Sequence, residues 1–404
     1  MPGETERTAP GMDEPRDPSA FRRQALRELA ALFLRLGATT FGGPAAHIAM
    51  FEDEVVRRRR WLTHERFLDM LGATNLIPGP NSTEMAIHVG YDRAGLAGVV
   101  VAGASFILPA VILTLFIAWA YVRFGALPEV NAFLYGAKPA IIAVVVQALW
   151  RLGSTALHSK LLVLTAIGAL AATALGLHEL VLLLGTGALL AAMHALRGSA
   201  SGKSALPAVA PWLAPAGIGG IGGTATVYTL GGLFCFFLKV GAVLFGSGYV
   251  LLAFLRADLV ERWHWLTNEQ LLDAIAVGQV TPGPVFTTAT FIGYLLGRAQ
   301  GALVATVGIF LPAFVFVALI GPFLPRLRRS GTAAAFLDGV NVASLALLAI
   351  VTWQLAQSAI IDWWTGLIAL GGTVLLMRFG LNSAWLILGG GLLGLLGEYV
   401  GKYG

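Results

Sequence analysis

Pro78-Gly79-Pro80 and Pro282-Gly283-Pro284 each interrupt a long apolar stretch, at matching places in two related halves of the chain. Proline lacks the N–H that a helix needs, and broken backbone is costly in lipid unless it faces protein or a water-filled cavity. Two such breaks at corresponding positions limit the folds that this chain can adopt.

The surroundings are those of a membrane protein. Of 404 residues, 57% are hydrophobic and only 12% charged, against about a quarter charged in soluble domains. Apolar runs such as 96–121, 161–175, 181–193 and 302–323 approach or exceed the roughly 20 residues that span a bilayer. They are continuous rather than short and alternating, which favours helices over a β-barrel. The expected fold is an all-α polytopic membrane protein of roughly ten spans, in the cell (inner) membrane. Residues 1–27 read as a polar tail without a signal-peptide core. The single cysteine, Cys235, cannot form an internal disulfide. The formal charge of +5 reads as an orienting signal, not as a nucleic-acid partner.

The duplication extends well beyond the prolines. Phe33-Leu34-Arg35-Leu36-Gly37 matches Phe237-Leu238-Lys239-Val240-Gly241, and Trp61-Leu62-Thr63 matches Trp265-Leu266-Thr267. Asp69 falls on Asp273 and, after a one-residue slip, Leu108-Pro109 on Leu311-Pro312 and Trp150 on Trp353. The halves are 28–198 and 228–404, joined by a linker over 199–227. Basic residues sit on opposite loops in the two copies: Arg57–Arg60 against Glu261-Arg262-Trp263-His264, and Arg151 with Lys160 against Asp362. Since basic loops mark the cytoplasmic side, the halves read as inverted repeats. Inversion with an odd number of crossings per half puts the N-terminal tail outside, whereas Arg16, Arg22, Arg23 and Arg27 argue for inside. A first segment that is re-entrant, or that lies in the interface, would reconcile the two.

Inverted repeats with broken helices are the pattern of secondary transporters. Gly42-Gly43-Pro44 and Gly246-Ser247-Gly248 supply a second pair of breaks. After each Pro-Gly-Pro a restarting helix would point free N–H groups, backed by its dipole, at an anion. Asn81, Ser82 and Thr83 in one half, and Thr287 and Thr288 in the other, add polar groups there; Gly79, Gly283, Gly42, Gly43, Gly246 and Ser247 provide the close backbone. Asn75 and its mate Gln279 are expected amide donors. Arg35 and Lys239, charged residues in apolar stretches, are expected as a matched pair of cations for a divalent anion, with snorkelling to the headgroups as the bland alternative. Lys138 has only Asn341 as its mate, so any role would be one-sided. Glu84, mate of Thr288, would repel an anion unless protonated and is the expected proton-coupling residue, with His47 and His88 as possible relay members.

Phe41-Gly42-Gly43-Pro44-Ala45-Ala46-His47, the run Arg57–Arg60 before Trp61-Leu62, both Pro-Gly-Pro stretches and the duplicated layout resemble the chromate ion transporter family in its long-chain, two-domain form. The resemblance implies gradient-driven export of chromate from the cytoplasm across the inner membrane. It departs from the family's pattern at Asn75, where a Gln is common, and in the polar run Asn81–Glu84, so sulfate or another oxyanion stays open as substrate. No nucleotide-binding G-x-x-x-x-G-K-[ST] occurs. The histidines are scattered without H-x-x-x-H pairing, so neither an intramembrane enzyme nor a metal site is expected. No cofactor is expected, a passive channel is the remaining rival, and a homodimer is left open.

Overall fold

The computed structural model describes residues 18–41, 43–199, 227–245, 250–320 and 330–403. Among these, fourteen α-helices carry the fold. They are α1 (Pro18–Thr39), α2 (Gly43–Glu52), α3 (His64–Thr74), α4 (Asn81–Phe124), α5 (Pro128–Ala156), α6 (Lys160–Ala174) and α7 (Glu179–Ser199). The second half follows with α8 (Leu230–Val243), the short α9 (Leu251–Phe254), α10 (Asn268–Val280), α11 (Thr288–Ile320), α12 (Gly331–Ala359), α13 (Trp363–Phe379) and α14 (Ser383–Tyr403). A π-helical turn extends α2 over Asp53–Arg58 and α9 over Leu255–Arg262. Helix α1 starts at Pro18, so its first turns lie within the stretch read as a polar tail.

Among the described residues, five helices are long and apolar enough to cross a bilayer, namely 81–124, 128–156, 179–197, 285–319 and 331–359. Four shorter apolar helices, Lys160–Ala174, Leu230–Val243, Trp363–Phe379 and Ser383–Gly397, accompany them. With these nine helices the described residues stand near the expected figure of roughly ten spans, although not every helix runs straight through.

The reason lies in α4 and α11, which both double back. At Ala94 and Gly95 the backbone leaves the helical region (φ −144°, then +62°), and Gly297 and Arg298 repeat the break (φ −140°, then +55°). A Cβ on Gly98 would overlap the Gly90 carbonyl, and one on Gly301 the Gly293 carbonyl. Residues eight apart lie about 12 Å apart in a straight helix, so each element is a tight hairpin with a short arm (81–93 or 288–296) and a long arm.

The short arm of α4 is in turn the return limb of a re-entrant hairpin. Arg66 near the start of α3 pairs with Asp92 at 3.0 Å, so the chain enters at α3, reverses at Pro-Gly-Pro and comes back to the same face. Helices α1 and α2 form a similar pair. Phe33 meets Phe51 edge-on at 5.5 Å, and Glu28 of α1 grips Arg93 at 2.6 Å beside Trp61. Each half therefore opens with two re-entrant limbs, whose mouth lies on one face, and continues with the long arm and three more helices.

Contacts fix the direction of the second half. Starting from the first mouth, the long arm of α4 crosses to the far face, α5 returns and α6 crosses again, so the start of α7 is on the far face. There Glu179 takes both oxygens to Arg262, at the mouth of the second half (2.7 and 2.9 Å). Gly331, opening α12, lies against His194 near the end of α7. The mouths face opposite sides, and the halves are inverted. Trp150 and Trp353, symmetry mates that are 69% and 68% exposed, mark the two interfaces.

This path bears on one side of the parity conflict, the placement of the N-terminus. With both opening hairpins re-entrant, four helices carry the first half across an even number of times. Ser199 then shares a face with the start of α1, Arg57–Arg60, Arg151 and Lys160, the face that the positive-inside rule marks as cytoplasmic. Leu230 begins on the other side. Residues 200–226, between them, lie outside the described residues.

The halves interlock. Helix α5 packs on α13 and α14 of the other half, as α12 packs on α6 and α7. Gly136 meets Gly390 and Gly394, and Gly339 meets Thr186 and Gly187. Residues this small let backbones approach where lipid offers no hydrophobic drive.

Candidate functional site

The two Pro-Gly-Pro turns meet at the middle of the molecule. Gly79 (φ +142°) and Gly283 (φ +88°) adopt backbone angles that other residues avoid. The N–H of Gly79 donates to the Leu244 carbonyl at 2.7 Å, and that of Gly283 to the Thr40 carbonyl at 3.0 Å. Thr40 and Leu244 are themselves symmetry mates, each just beyond the end of the first helix of its half. Thus the apex of each hairpin satisfies a frayed carbonyl of the opposite repeat, and the exchange is reciprocal.

Beyond the first apex, α4 restarts with Pro80 as its N-cap and without a side-chain cap, so its opening N–H groups rely on what faces them. Ser82 and Thr83 are buried, the Thr83 hydroxyl lacks a partner, and Asn81 donates its amide to Asn75 at 2.9 Å. In the second half Val285–Thr287 forms a 3₁₀ turn before α11. Its hydroxyls are engaged locally, Thr287 with the Pro284 carbonyl (3.0 Å) and Thr288 with that of Val285 (2.8 Å). Gln279 is buried.

A pocket at this centre is lined by Pro44, His47, Pro80, Asn81 and Ser82 from one half and by Val285 and Phe286 from the other. Its free space is about 10 Å³, roughly one water and well short of a four-oxygen anion. Glu84 lies beside it, wholly buried, with neither carboxylate oxygen hydrogen-bonded, and its Oε1 fills the space where a Cβ on Gly79 would go. His88, one turn on, and His47 are buried too, each with an unpartnered ring nitrogen. His47 Nε2 contacts the Thr40 carbonyl at 3.3 Å, which joins it to the Gly283 exchange.

The structure gives Arg35 and Lys239 partners that the sequence reading did not name. Arg35 pairs with Glu54 at 2.6 Å and Lys239 with Asp258 at 2.5 Å. Glu54 and Asp258 are mates, as are Arg58 and Arg262, which join the same clusters. Burial opposes charge on Glu54, but hydrogen bonds from Arg35 and Arg59 with the field of Arg58 outweigh it and hold its carboxyl below the usual range. The signal was present in the repeat register, where an acidic pair accompanies the basic pair. Neither cation lines the central pocket. Gly43, with φ +76°, opens α2, while Gly42, Gly246 and Ser247 lie outside the described residues.

Comparison with known proteins assigns this architecture. The profile of the family described as "Chromate transporter" matches twice, over residues 27–192 and 231–395, one match per repeat. The "Chromate transport protein" of Cupriavidus metallidurans is 34% identical over 92% of this chain and 93% of its own length. That of Pseudomonas aeruginosa is 35% identical over 82% of this chain and 81% of its own. A "Probable chromate transport protein" of Synechococcus elongatus is 30% identical over 86% and 88%. No solved structure matches the chain. With matches of this extent in both repeats, the chain belongs to the chromate transporter family.

Proposed function

We propose that this protein is a secondary transporter that carries chromate, or a tetrahedral dianion like it, out of the cytoplasm under an ion or proton gradient. The carrying observation is the meeting of the two Pro-Gly-Pro apices, which directs the restarting helix at Asn81 and the 3₁₀ turn at Val285 toward one central pocket. Helix starts supply N–H donors and a favourable dipole, and they need no counter-cation to bind an anion. Asn81, Ser82 and Thr83, with Asn75 and Gln279 behind them, would face the oxyanion. Gly79 and Gly283 keep the backbone close, and Thr287 and Thr288 shape the opposite wall. Arg35 and Lys239 lend positive charge at this depth only when Glu54 and Asp258 release them, so their part belongs to an opened state.

The pocket is too small for the substrate as it stands, so binding requires the limbs to separate. Glu84 is the proton-coupling group in this reading. A lone buried carboxylate beside the site excludes an anion when ionised and admits one when protonated. His47 and His88 would pass protons to it.

Reconstitution into liposomes tests this, with chromate and sulfate flux measured under an imposed pH gradient for wild type and Glu84→Gln. Saturable chromate flux that follows the gradient, and loses that dependence in the variant, supports the reading. Equal or faster sulfate flux would transfer the proposal to sulfate. Absence of both fluxes from folded protein would remove the central site as drawn.

A further inference from the structure

A second ionisable cluster lies inside the membrane domain, away from the Pro-Gly-Pro centre and toward the outer face. Asp273 of α10 is buried and accepts a hydrogen bond from the Tyr121 hydroxyl of α4 at 2.8 Å. Lys138 of α5 stands 3.6 Å from its other oxygen, Oδ1. That separation is an ion pair but exceeds a hydrogen bond, and Oδ1 has no hydrogen-bond partner. Glu269, one turn earlier on α10, adds a like charge.

Three features distinguish this cluster from a structural tie. It spans the two repeats, with Tyr121 and Lys138 from the first and Asp273 from the second. It is not duplicated, because the mate of Lys138 is Asn341, although Asp273 has a mate in Asp69. And it lies on the limb that ends in Gln279 and Pro282-Gly283-Pro284, about 9 Å of helix from Gln279. A lysine at this depth is expensive and usually functional.

We propose that Lys138 provides a second anion-binding point, on the outward side of the central site, and that Asp273, anchored by Tyr121, masks it until a proton releases it. The proposal rests on the oxyanion-transport reading and deepens it. With Asp273 ionised, the pair is neutral and offers an oxyanion nothing. A proton on Asp273 leaves Lys138 as an unpaired cation beside the path from the centre, and an anion can stop there. Loss of that proton restores the pair and expels the anion. Glu84 governs admission at the centre; Asp273 governs release toward the outside.

The test is chromate affinity of purified full-length protein as a function of pH, over a range where chromate itself stays a dianion. Wild type is compared with Glu84→Gln, Asp273→Asn, Lys138→Gln and Tyr121→Phe. The slope of log affinity against pH counts protons taken up per anion. Asp273→Asn is expected to lower it by about one, keeping tight binding at alkaline pH. Lys138→Gln should weaken binding about tenfold, an ordinary coupling between sites. Tyr121→Phe, which retains the ring against Phe291 (5.3 Å between centroids), should move the midpoint of the pH dependence. A wild-type slope in Asp273→Asn, or wild-type affinity in Lys138→Gln, overturns the proposal. Should either variant fail to fold, an unmoved midpoint in Tyr121→Phe overturns it alone. If wild type itself binds no oxyanion, the transport reading fails; if only Glu84→Gln alters the slope, that reading stands and this inference falls.

Discussion

Gly79 meets two constraints at once, and they are separable by mutation. Its φ of +142° excludes a side chain on backbone grounds, and the Glu84 carboxylate occupies the position of its Cβ. Gly79→Ala is expected to lower stability by about 1–3 kcal/mol and to abolish transport. Adding Glu84→Gln should not rescue it, because the backbone demand remains; thermal unfolding in detergent reads this directly. Glu54 gives a pH prediction of defined sign. Its carboxyl is held below the usual range when folded, so it contributes stability above that range and loses it as pH falls through the lowered value. Glu54→Gln should remove that acid-side loss from the unfolding profile. Residues of this kind were only half legible in the sequence. Repeat register identified Arg35 with Lys239 and Glu54 with Asp258 as equivalent positions, but equivalence says nothing of contact. Pairing each cation with the acid of its own half needed the return of the chain through α2 in one repeat and α9 in the other.

At the scale of elements, the Pro-Gly-Pro breaks were visible because proline and glycine declare themselves, whereas the reversals inside α4 and α11 were not. Ala94-Gly95 and Gly297-Arg298 carry one glycine each beside long apolar runs, a weak signal for a hairpin. The apolar run starting at Leu96 nevertheless coincides with the long arm. Arg298 holds φ +55° and ψ −146°, where its mate is Gly95. That region suits glycine almost exclusively, so Arg298→Gly should raise stability by about 1 kcal/mol, measured as a higher unfolding midpoint. The two mouths also differ. Arg262 joins α7 through Glu179, while Arg58 pairs only within its own turn, with Asp53 and Glu54, among the described ion pairs. Arg262 thus ties the second pair of limbs to a neighbouring helix.

For the whole molecule, inversion was legible in the charges of the loops, since equivalent loops cannot both be cytoplasmic if only one is basic. The crossing count was legible only roughly, because re-entrant limbs and spanning helices have similar composition. Arg60 and His264, mates with φ of +52° and +53°, sit at the two mouths. Cysteines placed singly at these positions in a Cys235→Ser background should react with an impermeant reagent from opposite sides of the membrane, Arg60→Cys from the cytoplasm. Labelling from the same side would contradict the path described. The reciprocal bonds of Gly79 and Gly283 bear on synthesis as well as on the finished protein. A ribosome delivers Thr40 and Gly79 long before their partners Gly283 and Leu244 exist. Until those arrive, the first repeat holds a bare donor and a bare acceptor within the bilayer. The first repeat therefore reaches its full complement of backbone hydrogen bonds only when the second half has been made.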